Sequence, residues 1–265
     1  MIFITGDTHN SLDFDRLDNF KQRMNLAGNP LTKNDKLIVA GDFGIPWVHI
    51  PTLEKIIPDY SKDLSWVQQI SNDSMLIKYL EEYPCEVLFV DGNHDNFDVY
   101  DELPEEERYG SVVGKLSENI YHLKRGNVYI LEGYKVFTFG GAESIDRARR
   151  TDKLSWWDRE IPSREEYYHG LETLAKNNFE VDFVISHTMP RSMLKQANFD
   201  LAMGVDPHKL TDPVGEMLDF YMNKLKFNMW YVGHMHVDSP YYKFQLCYQY
   251  FYEMKKQTRY GADYE

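Results

Sequence analysis

Five short blocks of the chain carry side chains with reactive or ligating chemistry: Asp7-x-His9, Asp42, Asn93-His94-Asp95, His187 and His234-x-His236. Carboxylates, imidazoles and one amide, with no cysteine among them, suit a divalent metal of borderline hardness such as Mn, Fe or Zn. In an extended segment alternate side chains share a side, so Asp7 with His9, and His234 with His236, can each face a common ion. One such pair alone would as readily be a surface feature. The weight comes from the recurrence of the pattern at five places.

Each block directly follows an apolar run rich in Ile, Val and Phe: Ile2 to Thr5, Lys36 to Ala40, Glu86 to Val90, Val181 to Ser186 and Met229 to Val232. Short runs of this kind, bounded by turn residues, read as buried strands. In open α/β sheets, ligands bind outside the carboxyl ends of the strands, where loops can aim side chains into one crevice. Gly6, Gly41, Gly92 and Gly233 precede the polar residue in four of the five blocks, which fits tight turns that bring backbone close to a bound ion.

Helical periodicity fills the spaces between these strands. Leu17, Phe20, Met24 and Ala27 form a stripe after a cap expected at Ser11, and Ser61 to Tyr83 reads as helix with a break expected near Ser71-Asn72-Asp73-Ser74. Ser163 and Glu166 form a capping box, and Asp212-Pro213 opens a helix through Met217, Leu218, Tyr221 and Leu225. Asn127 to Leu131 and Tyr134 to Phe139 make a hairpin turning at Glu132-Gly133, and Tyr241 to Tyr250 alternates like one half-buried strand. Long loops are expected at Ile45 to Tyr60 and Thr188 to Thr211, and a solvated loop at Asp101 to Glu107. The pattern predicts a single domain over residues 1–265, with two sheets and helices outside them.

Composition narrows the partners. The 265 residues hold 29 Lys+Arg against 42 Asp+Glu, a net charge of −13, which argues against a protein that coats nucleic acid. A small molecule or a nucleotide is the expected partner, and the charge weighs mildly against long nucleic acid. At 43% hydrophobic residues the chain has ample material for a packed core. Cys85 and Cys247 cannot form a disulfide framework, and no apolar run approaches the ~20 residues needed to span a bilayer. The first residues carry no basic segment and only a short apolar run, so the expected location is the cytoplasm.

The ordered series Asp7-x-His9, Gly41-Asp42, Gly92-Asn93-His94-Asp95, Ser186-His187 and Gly233-His234-x-His236 resembles the calcineurin-like metallophosphoesterases over positions 6 to 236. The resemblance implies an α/β (α+β) fold, a four-layer α/β/β/α sandwich of two mixed β-sheets flanked by helices, with a dimetal site at the strand C-terminal ends. It implies that Asp7, His9, Asp42 and His236 hold one divalent ion and that Asp42 bridges to a second, completed by Asn93, His187 and His234. Ser186 and Asn10 stand where the family often has glycine, and neither change removes a ligand. Gly41-Asp42 continues as Phe43-Gly44-Ile45-Pro46 rather than Asp-Arg-Gly, and Asp95 stands in place of Glu. Both departures point away from the protein serine/threonine phosphatase branch.

The implied reaction is hydrolysis of a phosphomonoester or phosphodiester by a dimetal-activated hydroxide. Phosphoryl transfer asks mainly for positioning and charge neutralisation, which agrees with the lack of an obvious Ser or Cys nucleophile. His94, outside the ligand set, would protonate or hydrogen-bond the leaving oxygen, with Asp95 orienting its ring. Arg147, Arg149 and Arg150 form a local positive cluster that either clamps a substrate phosphate or pairs with Glu143, Asp146 or Asp152 at the surface. Trp156-Trp157 could stack a base but reads rather as an anchor for that loop, and His49, His122, His169 and His208 read as structural or surface residues. The alternative function is a non-catalytic metal-binding scaffold or interaction protein on the same fold. It is disfavoured because every matched position keeps a ligand-capable side chain.

Overall fold

The computed structural model describes residues 1–12, 14–206 and 209–255. His208 therefore lies outside the described residues. Among the described residues the strands are β1 (Ile2–Thr5), β2 (Lys36–Ala40), β3 (Glu86–Val90), β4 (Glu105–Arg108), β5 (Ser111–Ser117), β6 (Ile120–Leu123), β7 (Asn127–Leu131), β8 (Tyr134–Phe139), β9 (Phe183–Ser186), β10 (Met229–Val232), β11 (Ser239–Tyr241), β12 (Phe244–Leu246) and β13 (Tyr252–Glu253). The helices are α1 (Asp15–Leu26), α2 (Ile50–Ile56), α3 (Leu64–Glu81), α4 (Phe97–Tyr100), α5 (Arg164–Lys176), α6 (Arg191–Asp200) and α7 (Pro213–Met222).

Strand alternation dictates the layers. Along β1, Ile2 and Ile4 face the second sheet while Phe3 faces helices, and β2 repeats the pattern with Ile38 inward and Leu37 and Val39 outward. One sheet runs β13-β1-β2-β3-β6-β5-β4 and the other β11-β12-β10-β9-β8-β7, each mixing parallel and antiparallel neighbours. Ile4, Leu88, Ile185 and Tyr231 pack in the core between the sheets. Leu17, Phe20 and Leu80 of α1 and α3 cover one outer face, and Leu174, Leu194 and Leu218 of α5, α6 and α7 cover the other. The result is the four-layer sandwich of two mixed sheets flanked by helices. Burial on both faces explains why the central strands read as unbroken apolar runs.

Local signals hold at several element ends. Ser163 accepts from the Glu166 amide while the Glu166 carboxylate accepts from Ser163 N at 2.7 Å, closing the capping box of α5. Asp212 caps α7 with Pro213 in its first turn. Glu132 and Gly133 both take positive φ, 50° and 80°, and turn β7 into β8.

Elsewhere tertiary contacts redirect the chain. Helix α1 starts at Asp15 with Phe14 at its N-cap, and among the described residues neither Ser11 nor another side chain caps it. Helix α3 passes through Ser71 to Ser74 without a break, because Asp73 is buried and its carboxylate accepts from Trp47 N, Val48 N, Asn10 Nδ2 and Gln69 Nε2. The loops expected at Ile45 to Tyr60 and Thr188 to Thr211 contain α2 and α6. Part of the acidic run Asp101 to Glu107 is the edge strand β4, whose charges pair across the sheet, Glu105 with Lys124 and Arg108 with Glu86. Tyr241 to Tyr250 is not one strand: β11 and β12 form a hairpin, after which the Asp238 carboxylate accepts from the Tyr248, Gln249 and Tyr250 amides. Among the described residues no helix is long and apolar enough to cross a membrane.

Candidate metal centre

Strands β1, β2 and β3 run parallel in one sheet and β9 and β10 in the other, so their carboxyl ends deliver the five blocks to one edge of the sandwich. To turn inward there, Asp7, His9, Asp42, His234 and His236 all take positive φ, between 45° and 62°. Left-handed backbone at non-glycine residues costs on the order of 1–3 kcal/mol each and persists only where the surroundings enforce it. The glycines of the blocks make room for ligands: a Cβ on Gly41 would lie 2.1 Å from His187 Nδ1, and one on Gly92 would lie 2.2 Å from Asp42 Oδ1.

Two donor groups result. Asp7, His9, Asp42 and His236 offer ligand atoms within 4.8 Å of one another, and so do Asp42, His187 and His234. Asp42 belongs to both, with Oδ2 3.3 Å from His9 Nε2 and Oδ1 3.2 Å from His187 Nε2. Asn93 Oδ1 lies 3.1 Å from the same His187 nitrogen and so adjoins the second group.

The surroundings fix which atoms face the centre. His187 Nδ1 is 2.9 Å from Ala40 O and His9 Nδ1 is 3.0 Å from Asp7 O. Each contact assigns a proton to Nδ1 and turns Nε2 toward the centre, where it can serve as the ligand atom once deprotonated. Asn93 Nδ2 donates to Ser144 Oγ, whose own proton goes to Glu160 Oε2 at 2.5 Å, so the Asn93 amide is held with its oxygen toward His187. His236 stacks on Tyr248 at 4.6 Å, and Arg16 sits over that tyrosine while donating to Gly6 O and Asp7 O. Lys209 Nζ donates to His234 O at 2.7 Å, beside the centre.

Electrostatics match a cation site. Burial opposes charge on Asp42, but His187 and His94 outweigh it and hold the carboxyl well below the usual range. Burial likewise opposes protonation of His9 and His187, yet Asp42 and Asp7 raise both to about 9. His234 is pushed far down by burial and by Lys209, and its buried Nε2 has no hydrogen-bond partner. A neutral imidazole with an unpartnered buried nitrogen among carboxylates is what a metal ligand offers, and the Asp/His/Asn donor set suits Mn, Fe or Zn. The residues therefore fit a pair of divalent ions.

The remaining sequence candidates divide. His94 packs edge-on against His9 at 5.4 Å, and its amide donates to Asp42 Oδ1. Asp95 does not reach the His94 ring: its carboxylate accepts from Gly44 N, Gly92 N and Tyr100 OH, bracing the loops that carry Asp42 and Asn93. Arg150 takes the place beside His94, with Nη2 2.6 Å from Nε2, while Asp146 Oδ1 and Ser155 O hold the rest of its guanidinium. Arg147 instead lies over the Trp156 ring and Arg149 is exposed, so the three arginines do not converge on the centre. Trp157 is buried against Trp47. His49 contacts Thr52 and Glu102, His169 contacts Asn127, and buried His122 pairs with Asp91.

Sequence reading missed Ser144, Glu160, Lys209 and Tyr248. Ser144 was findable, because β8 ends beside β9 and its following loop must arrive at the same edge. Lys209 carries no sequence signal, since it comes from a turn within a segment that reads as loop.

The model of the calcineurin-like phosphoesterase family matches residues 1–238. With the two-sheet sandwich and both donor groups in place, the chain belongs to the calcineurin-like phosphoesterases, and its general activity is that of a metal-dependent hydrolase of phosphoester bonds. Among curated proteins none matches the chain.

Proposed function

We propose that this chain hydrolyses a phosphomonoester or phosphodiester of small-molecule or nucleotide size at a centre of two divalent ions, Mn, Fe or Zn. The observation that carries the reading is Asp42, whose two oxygens each face a different donor group. Asp7, His9, Asp42 and His236 would hold one ion, and Asp42, Asn93, His187 and His234 the other. When bound, such a pair neutralises phosphoryl oxygens and lowers the pKa of an attacking water.

The protein's own residues supply the rest. Burial, with the Arg150 and His9 charges, outweighs Asp42 and lowers the His94 pKa, so its imidazole is neutral near pH 7 and carries one ring N–H. That N–H would hydrogen-bond the leaving oxygen and give up its proton as the P–O bond breaks. Arg150, tied by Asp146, is a positioning residue for the ring. Ser144 and Glu160 keep the Asn93 oxygen turned inward, and Lys209 brings a positive charge for the phosphate in a chain of net charge −13. The absence of the Asp-Arg-Gly continuation after Gly41-Asp42 favours a substrate other than a phosphoprotein.

The test is hydrolysis of an aryl phosphate monoester and of the corresponding diester with Mn, Fe, Co, Ni and Zn in turn. Turnover of at least one ester that depends on added metal is expected. Two bound ions with no turnover of either would support the scaffold reading instead.

A further inference from the structure

Two cavities share His94 in their lining. One, of about 210 Å3, is lined by Asp42, Asn93, His94, Asp146, Lys209 and His236, and is the metal side. The other, of about 320 Å3, is lined by His9, Asn10, Leu12, Trp47, Gln69 and His94, with Ser11 and Gly44 completing it. The contrast in chemistry is sharp. The first holds carboxylates, imidazoles and a lysine, whereas the second has an indole and an isobutyl group and, among the described residues, no acidic or basic side chain beyond its two histidines.

The second cleft is built, not incidental. Asp73, only 4% exposed, reaches up from α3 and ties its walls together: it accepts from Trp47 N at 3.0 Å, Asn10 Nδ2 at 2.7 Å and Gln69 Nε2 at 3.1 Å. Burial raises the Asp73 carboxyl despite these bonds, so the cleft's architecture is kept at an electrostatic cost. Trp157, itself buried, packs edge-to-face on Trp47 at 5.7 Å and fixes that ring. Gln69 uses its Nε2 on Asp73, which leaves Oε1 as the acceptor of that amide.

We infer that this cleft is the leaving-group subsite and that it takes a flat, uncharged aromatic ring, the ring of an aryl or nucleoside ester. The inference rests on the phosphoesterase reading above and names the group on the far side of the scissile bond. Because His94 lines both cavities, a phosphoryl held on the metal side with its leaving oxygen at His94 directs whatever that oxygen carries into the neighbouring cleft. A volume on the order of 300 Å3 suits one ring system. Trp47 supplies a stacking surface and Leu12 an apolar wall, and the lack of Lys and Arg among the described lining residues disfavours a second phosphate there.

The test compares kcat/KM for phenyl and nucleoside esters with that for a short alkyl ester, in the parent chain, Trp47→Ala, Trp47→Phe and Leu12→Ala. The ratio of aromatic to alkyl kcat/KM should fall about tenfold in Trp47→Ala, the scale of one ring stack, mainly through KM, and Trp47→Phe should restore most of it. Leu12 is 83% exposed, so Leu12→Ala keeps the fold and should lower the same ratio less. A fall with phenyl alone or nucleoside alone tells which ring the cleft serves, and ratios within twofold of the parent for both would overturn the inference. Binding of phenylphosphonate and methylphosphonate by calorimetry separates the two readings. If the parent cleaves no ester, the phosphoesterase reading fails, yet a preference for phenylphosphonate that Trp47→Ala abolishes would still uphold the subsite. Equal affinities for the two phosphonates would sink it.

Discussion

The two halves of the centre share Asp42 but face different environments. In the group of Asp7, His9, Asp42 and His236, the His236 side chain is 47% exposed, whereas His187 in the other group is fully buried and His234 nearly so. The buried half carries the unpartnered His234 nitrogen and is braced through Asn93, Ser144 and Glu160. The open half is braced instead by stacking on Tyr248 and by the Arg16 contacts to backbone carbonyls. An ion in the buried half would be part of the folded core, and one in the open half would exchange with solution.

The largest effect should come from the residue common to both halves. Asp42→Asn should lower turnover by about 1,000-fold or more, since several kcal/mol of transition-state charge stabilisation depend on the ions it anchors and ~1.4 kcal/mol is a factor of ten. Turnover within tenfold of the parent would separate the halves entirely. Next comes His94→Gln, which should keep both ions and lower kcat by about 100- to 10,000-fold on esters with poor leaving groups. Unchanged turnover on such esters, with metal content intact, would remove His94 from the reaction.

A smaller and more local effect is expected at Ser144. Ser144→Ala releases the Asn93 amide and should weaken metal binding in the buried half by about 10- to 100-fold while leaving the open half alone. Titration with Mn that shows both affinities unchanged would contradict the bracing role. The mildest effect is with pH. In the metal-free chain Asp42 and Asp7, against the opposing effect of burial, raise His9 and His187 to about 9, above the ordinary value near 6.5. Those two groups therefore stabilise the metal-free fold fully below about pH 6.5, and the contribution fades as pH rises through about 9. Metal affinity runs the opposite way, because bound imidazoles must be neutral. Denaturation of the chelator-treated protein at pH 6 and pH 9 should show the loss, and calorimetric Mn binding should tighten over the same range.

Much of this geometry was legible because the donors follow apolar runs that can only be buried strands. Parallel strands end at the same edge of their sheet, which gathers Asp7, Asp42 and Asn93 on one sheet and His187 and His234 on the other. What escaped were contacts between elements far apart in sequence. Asp73 reads as a helix breaker until its carboxylate meets the Trp47 and Val48 amides, and Asp95 reads as a partner for His94 until Gly44 and Gly92 claim it. Lys209 and Tyr248 reach the centre through turns that no periodicity marks. The strained φ of His234 and His236 is likewise invisible to a reading of propensities, which favour ordinary backbone at histidine.

The central claim is that one carboxylate joins two metal sites, and counting metal tests it most directly. Elemental analysis of the Mn-loaded parent and of Asp42→Asn, both verified as folded, should give two equivalents for the parent and at most one for the variant. Two equivalents retained in Asp42→Asn, or a parent that never binds more than one, would contradict it.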